Sequence, residues 1–239
     1  MWLLSNKVKV KDSGLLEGFC DYHCHLLPGV DDGVQEMQEC LAILGLWEKV
    51  GVKEIWLTPH IMEDIPNISS DLKMRFEKVK TVFTGEIKLH LAAENMMDHL
   101  FMKRLATRDL LPIGKAETHL LIETSYYTPP MDMERMIGCV MEYGYTPILA
   151  HPERYLYMNT EDYGKWKQKG VWLQLNIPSL IGAYGQEVQR RAERLLGKRM
   201  YDCCGTDTHT LVFAENYLNS IIQKKTVMAI RQIIDKQFI

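Results

Sequence analysis

Histidine and carboxylate residues recur in this chain where short apolar runs end. The first run closes on Asp21-Tyr22-His23-Cys24-His25. On a strand, side chains two positions apart share a face, so His23 and His25 can reach one ion while Cys24 points away. Taken alone, the pair is a weak signal and reads more readily as two partly exposed histidines. Asp31-Asp32-Gly33 follows and by itself is a common turn. Later runs close on Thr58-Pro59-His60, Ala92-Ala93-Glu94, Leu121-Ile122-Glu123, Ala150-His151-Pro152-Glu153-Arg154 and Gly205-Thr206-Asp207-Thr208-His209.

Together these residues say more than any one of them. Glu94 and Glu123 adjoin apolar residues, where a carboxylate is costly unless it is paired or bound to metal. Imidazole and carboxylate donors without thiolate suit hard or borderline divalent ions such as Mn²⁺, Fe²⁺ or Zn²⁺. The nine groups His23, His25, one of Asp31 and Asp32, His60, Glu94, Glu123, His151, Asp207 and His209 exceed the needs of one ion. Several ions together can activate a water and hold both the attacking and leaving oxygens of a phosphoryl group. Cysteine-based phosphoryl chemistry is excluded, because none of the six cysteines is followed six residues on by arginine. Cys203 and Cys204 read as buried core, and no Gly-rich nucleotide loop is present.

The elements that position these groups alternate between short and long. Strands are predicted near residues 19–23, 54–58, 87–93, 119–122, 146–150, 171–175 and 200–203. Amphipathic helices are predicted near 36–50, 72–83, 98–107, 131–143, 160–169, 186–196, 213–223 and 227–237. This order implies parallel strands joined by crossovers, and about seven such units suit an α/β barrel. In such barrels functional side chains gather at the C-terminal strand ends. All the predicted strands except 171–175 end in His, Asp or Glu.

A chain of 239 residues with a formal net charge of -3 gives no bulk attraction to nucleic acid. No apolar stretch approaches the ~20 residues of a membrane span. With no secretory signal, the thiols read as reduced and the location as cytoplasmic. Residues 1–17 read as a loosely held N-terminal arm and 18–239 as one domain.

The strings Asp21 to Gly33, Thr58-Pro59-His60, Ala93-Glu94, Leu121-Ile122-Glu123, Ile148 to Tyr155 and Asp207-Thr208-His209 carry a resemblance. The chain resembles the PHP superfamily and, within it, the manganese-dependent tyrosine phosphatases of bacterial capsule and exopolysaccharide loci. The resemblance implies a distorted seven-stranded (β/α) barrel with up to three ions. His23, His25, Glu94 and Asp207 would hold the first, Glu94, Glu123 and His151 the second, and Asp32, His60 and His209 the third. Asp32 is preferred over Asp31 because the family ligand directly precedes the glycine. Arg154 matches the arginine that contacts the substrate phosphate, and its alternative reading is an ion pair with Glu153 or a nearby acid.

The implied reaction is hydrolysis of phosphotyrosine, in the tail of a capsule-assembly tyrosine kinase, by attack of metal-activated hydroxide. Phenolate, with a parent pKa of about 10, leaves more readily than an alkoxide. No stable membrane insertion is implied, and a homo-oligomer is compatible. Two departures stand out. Some relatives carry a second arginine after the final Asp-x-His, where this chain has Thr210-Leu211-Val212-Phe213-Ala214. Some carry basic residues after the second-motif histidine, where this chain has Ile61-Met62-Glu63-Asp64. Two competing readings are a phosphoesterase for a small metabolite such as histidinol phosphate, and a non-catalytic partner of polysaccharide assembly. His90, His99 and His119 read as non-ligands. Tyr126 and Tyr127 read as slot or cap.

Overall fold

The computed structural model describes residues 6–236. In chain order the elements are β1 (Lys7–Lys9), β2 (Cys20–Cys24), α1 (Met37–Lys49), β3 (Glu54–Leu57), β4 (His60–Ile61), α2 (Ser69–Val82), β5 (Lys88–Leu91), β6 (Glu94–Met96), α3 (Phe101–Thr107), β7 (His119–Glu123), α4 (Met133–Glu142), β8 (Thr146–Leu149), α5 (Thr160–Gln168), β9 (Trp172–Asn176), α6 (Gln186–Gly197), β10 (Cys203–Gly205), α7 (Leu211–Asn219), β11 (Ile221–Gln223) and α8 (Lys224–Ile234). The expected alternation of parallel strands with helices is present.

The strands form a curled parallel arrangement in two sheets, ordered β10-β9-β8-β7-β6-β4 and β2-β3-β5. Two predicted strands end short of their expected bounds, at Leu57 and at Leu91, and each is followed after a break at Thr58-Pro59 or Ala92-Ala93 by a further short strand. Pro59 has no N–H to give to a ladder, which accounts for the first break. At the other edge, β2 meets the segment after β10. His25 N–H donates to Thr208 O (2.9 Å), and Asp207 N–H donates to His23 O (2.7 Å). Asp21 reinforces this seam, accepting from Thr206 N–H (2.9 Å) and Thr206 Oγ1 (2.6 Å).

Alternation along the strands sorts apolar residues into two clusters. Leu120, Ile122 and Leu149 join the large core beneath the helices. Leu121, Ile148, Ala150 and Cys203 meet Tyr22 and Trp56 in a smaller cluster on the other face. Cys203 and Cys204 are fully buried, as expected. Burial pushes both thiols well above their usual range.

Two expectations need correction. Within the described residues the N-terminal segment is not loose: β1 pairs antiparallel with β11, and Val10, Leu15 and Leu16 are buried in the core. The start of the arm, 1–5, and position 237 of the last predicted helix lie outside the described residues. The helix expected over 213–223 ends at Asn219, and its last part is strand β11. That strand forms because β1 supplies a distant edge, which local periodicity does not register.

Candidate metal centre

The proposed donors sit near the C-terminal ends of the parallel strands or in the segments that follow them. His23 is the penultimate residue of β2, His25 follows that strand directly and Asp32 lies in the loop beyond it. His60 opens β4, Glu94 opens β6 and Glu123 closes β7. His151 follows β8, and Asp207 and His209 follow β10. His23, His25, Glu94, Glu123, His151 and Asp207 are all buried. Asp32 is 66% exposed at its side chain and His209 27%, so these two mark the open side. His151 (φ 31°) and Asp207 (φ 52°) hold the left-handed backbone that non-glycine residues rarely adopt. Such strain gathers at functional sites, where it aims a side chain that ordinary strand geometry would not. The loop carrying Asp32 tucks under His25, where a Cβ at Gly33 would lie 2.2 Å from His25 O.

The donors form overlapping groups: His23, His25 and Asp207; His23, Glu94 and His151; His60, Glu94 and Glu123; and His25, Asp32, His60 and His209. Glu94, like His23, His25 and His60, belongs to two of these groups, and it makes the most contacts with the histidines. Its Oε2 lies 3.1 Å from His23 Nε2, 3.3 Å from His25 Nε2 and 3.2 Å from His60 Nδ1. Its Oε1 lies 2.9 Å from His151 Nε2. The group expected for a second ion is looser: Glu123 Oε2 is 3.9 Å from His151 Nε2, while its Oε1 is 2.9 Å from His60 Nδ1. His60 therefore lies between the second and third expected groups.

The electrostatics follow from this crowding. Burial alone would depress His23, but the Glu94 and Asp207 carboxylates outweigh it and raise its pKa to about 9. Burial likewise opposes protonation of His60, and Glu94 with Glu123 raises it to about 10. Burial would raise Asp207 and Glu94, but the surrounding histidines hold both carboxyls below their usual range. For Asp32 the hydrogen bond from His209 is the main cause of a value of about 2.

The donor set fits divalent ions. Glu94 Oε2, Glu123 Oε1 and His60 Nδ1, which face one another, are buried without a properly directed hydrogen bond. Buried polar atoms are rarely left so, and a cation among them would satisfy the carboxylates and the imidazole together.

Arg154 does not pair with Glu153. Its Nη1 donates to Asp207 Oδ2 at 2.8 Å. Glu153 is turned inward and accepts from Asn176 N–H (3.1 Å) and Tyr201 OH (3.0 Å). Tyr126 lies at the mouth with its ring centroid 4.3 Å from Arg154 Cζ, whereas Tyr127 is exposed. His90 pairs with Glu54 (3.0 Å) and stacks on Trp56, His99 pairs with Glu63 (2.8 Å), and His119 tilts against Trp172.

Strand β9, which ends in no His, Asp or Glu, also serves the centre. Gln174 is fully buried and its Oε1 lies 3.0 Å from His23 Nδ1. Asn176 Nδ2 donates to Asp207 Oδ2 at 2.9 Å. Asp31 binds His25 Nδ1 at 2.8 Å and accepts from His60 N–H at 3.0 Å. An amide or carboxylate on one imidazole nitrogen fixes the tautomer and frees the other nitrogen for an ion. Gln174 and Asn176 could have been suspected from polar residues inside the apolar run 171–175 and just past it. Tyr184, whose hydroxyl donates to Asp207 Oδ2 (3.1 Å), left no local signal.

A parallel α/β scaffold with imidazoles and carboxylates converging near its strand ends suits a metal-dependent hydrolase. Residues 19–230 match the family model for capsular polysaccharide synthesis, CpsB/CapC, and the chain belongs to that family. It is 25% identical over 197 residues to the tyrosine-protein phosphatase YwqE of Bacillus subtilis (strain 168), covering 80% of this chain and 77% of that one. It is 23% identical to the putative tyrosine-protein phosphatase CapC of Staphylococcus aureus, covering 87% of this chain and 84% of that one. Its fold matches a chain from the crystal structures of YwqE from Bacillus subtilis and CpsB from Streptococcus pneumoniae, described as unique metal-dependent tyrosine phosphatases. That match has a TM-score of 0.70 and 23% identity, covering 92% of this chain and 87% of the other.

Proposed function

We propose that this protein is a metal-dependent protein-tyrosine phosphatase that removes phosphate from phosphotyrosine in the tail of a capsule or exopolysaccharide tyrosine kinase. The observation that carries the reading is Arg154, bonded to Asp207 at the edge of the overlapping donor groups, in a family whose relatives are named tyrosine-protein phosphatases. The same reading takes the two sheets as parts of one distorted seven-stranded barrel. It takes 18–239 as the catalytic unit, with residues 7–17 packed onto it through β1, Val10, Leu15 and Leu16. It places the chain in the reducing cytoplasm. No helix among the described residues is long and apolar enough to cross a membrane.

His23, His25, Glu94 and Asp207 would hold one ion, Glu94, Glu123 and His151 a second, and Asp32, His60 and His209 a third. Mn²⁺ suits this donor set, and Fe²⁺ or Zn²⁺ are the alternatives. Bound ions supply a water acidified toward neutrality and positive charge for the phosphate oxygens. The chain does the rest. Gln174 and Asp31 keep protons on His23 Nδ1 and His25 Nδ1, so that both Nε2 atoms face the centre. Arg154 binds phosphate oxygens through its planar fork and holds them as charge builds. The phenolate departs without needing a strong general acid.

A second reading, hydrolysis of a small phosphoester such as histidinol phosphate, draws on Glu63 and Asp64, which would repel an acidic tail. The test is hydrolysis of a phosphotyrosine peptide and of histidinol phosphate by metal-stripped protein, with and without Mn²⁺, beside Arg154→Ala. Mn²⁺-dependent turnover of the peptide that collapses in the variant supports the first reading. Turnover of histidinol phosphate alone replaces it with the second.

A further inference from the structure

We infer that Tyr184 and Tyr126 are positioning residues that clamp the Arg154 guanidinium, allowing a single arginine to serve as the phosphate grip. This rests on the proposed role of Arg154. Two rings flank the guanidinium, with Arg154 Cζ 4.3 Å from the Tyr126 centroid and 4.4 Å from the Tyr184 centroid. An arginine on a flexible stem ordinarily loses rotamer freedom when it grips an anion. Here that freedom is already gone. The ring contacts fix the guanidinium plane, and the bond to Asp207 Oδ2 fixes one corner of it, so the rest of the fork can take phosphate oxygens.

The clamp is itself held. Tyr184 OH donates to Asp207 Oδ2 and accepts from Asn176 Nδ2 (3.1 Å), which ties the ring to β9 and to the backbone turn after β10. Its ring centroid lies 6.2 Å from that of Phe213. Phe213 sits in the segment after His209 that contains no arginine, so this segment contributes an aromatic buttress instead of a second cation. On the other side Tyr126 stacks on Tyr155 (6.2 Å), which is fully buried. Both clamp rings thus rest on residues beside the centre, and Asp207 is shared between ion binding and the arginine. Three donors (Arg154, Asn176 and Tyr184) occupy Asp207 Oδ2, which leaves Oδ1 to face His23 and His25 at 3.5 Å.

The experiment is a double-mutant cycle on the Mn²⁺-loaded full-length protein with a phosphotyrosine peptide. It uses Tyr184→Leu, Tyr184→Phe, Arg154→Ala and Tyr184→Leu/Arg154→Ala, with bound metal measured for each. Tyr184→Leu is expected to lower kcat/KM about tenfold with metal content unchanged, the scale of a partly desolvated cation–aromatic contact. In the Arg154→Ala background the same change should cost less than twofold, because the residue it acts through is gone. Tyr184→Phe keeps the ring and should stay within about threefold of wild type. An equal loss in both backgrounds, or a Tyr184→Phe as impaired as Tyr184→Leu, would overturn the clamp. If Tyr184→Leu sheds metal, the cycle is run with Tyr126→Leu and judged by the same coupling. Full activity in Arg154→Ala would instead remove the phosphate role of Arg154, and the clamp with it. Loss in Arg154→Ala beside a silent Tyr184→Leu would sink the clamp alone.

Discussion

Replacing Gln174 with methionine keeps the side-chain volume and removes one amide. Its Oε1 accepts from two buried N–H groups, His23 Nδ1 at 3.0 Å and the His151 backbone at 3.3 Å. Its Nε2 donates to Leu175 O at 2.8 Å. In the variant both N–H groups lose their acceptor in a place water does not reach, at about 1–3 kcal/mol each. The metal-free protein should therefore lose about 2–6 kcal/mol of stability. The effect on ion binding is separate. With nothing at Nδ1, the His23 proton is free to sit on Nε2, the atom 3.1 Å from Glu94 Oε2 that must offer a lone pair to an ion. Removing such an outer partner typically weakens metal binding by about 10–100-fold. Competition titration with a chromophoric chelator measures the affinity, and denaturant unfolding of the stripped protein measures the stability. Gln174→Glu keeps an acceptor at Nδ1 and is expected to keep most of the affinity. If Gln174→Met bound Mn²⁺ within twofold of wild type, the tautomer argument would be refuted, even if stability fell.

Neighbouring Asp31 and Asp32 should separate cleanly. Asp32→Ala should abolish one bound ion while lowering the unfolding midpoint of the stripped protein only slightly, because its pairing with His60 and His209 is largely screened by solvent. Asp31→Ala should destabilise the stripped protein by about 2–4 kcal/mol, because it leaves His25 Nδ1 and the His60 N–H without partners. The pH dependence has a definite sign. In the ion-free protein His23 and His60, raised to about 9 and about 10, bind protons more tightly than the unfolded chain does. Their stabilising contribution is full below an ordinary histidine pKa of about 6.5 and is lost as pH rises through 9 to 10. The stripped protein should thus melt lower at pH 9.5 than at pH 7. Mn²⁺ loading near pH 7.5 should release protons, seen as a buffer-dependent heat in titration calorimetry. Gly205→Ala should be among the most damaging small substitutions, since a Cβ there would lie 2.5 Å from His23 Cβ and 2.6 Å from Gln174 Nε2; lost metal content with a lowered melting temperature is the expected readout. Deleting residues 1–17 should cost several kcal/mol in chemical denaturation, because Val10, Leu15 and Leu16 leave the core at about 1.5–3 kcal/mol each.

The sequence by itself carried the ingredients of the centre. His23, His25, Glu94, Glu123, His151 and Asp207 were legible because each interrupts or ends an apolar run, and parallel strands bring such ends to one face. The sequence order before Gly33 does not reveal that Asp31 turns in to bind His25 Nδ1 while Asp32 stays exposed beside His60 and His209. Helices α1, α2, α4, α5 and α6 were legible from local periodicity to within a few residues. What the sequence could not state were relations between distant segments. The N-terminal segment was read as loose because nothing near it marks β11, more than two hundred positions away, as its partner. The end of the helix predicted over 213–223 became strand for the same reason. Arg154 was expected to grip phosphate or pair with a nearby acid; only the folded chain set it against Asp207 and two tyrosines. Gln174 sits in the one predicted strand without a terminal donor, and its service to His23 exists only because β9 and β10 lie side by side and the chain after β10 closes against β2. Residue type and local period decide which groups face inward, whereas tertiary packing decides which of them meet, and so which imidazole nitrogen carries the proton and which faces the centre.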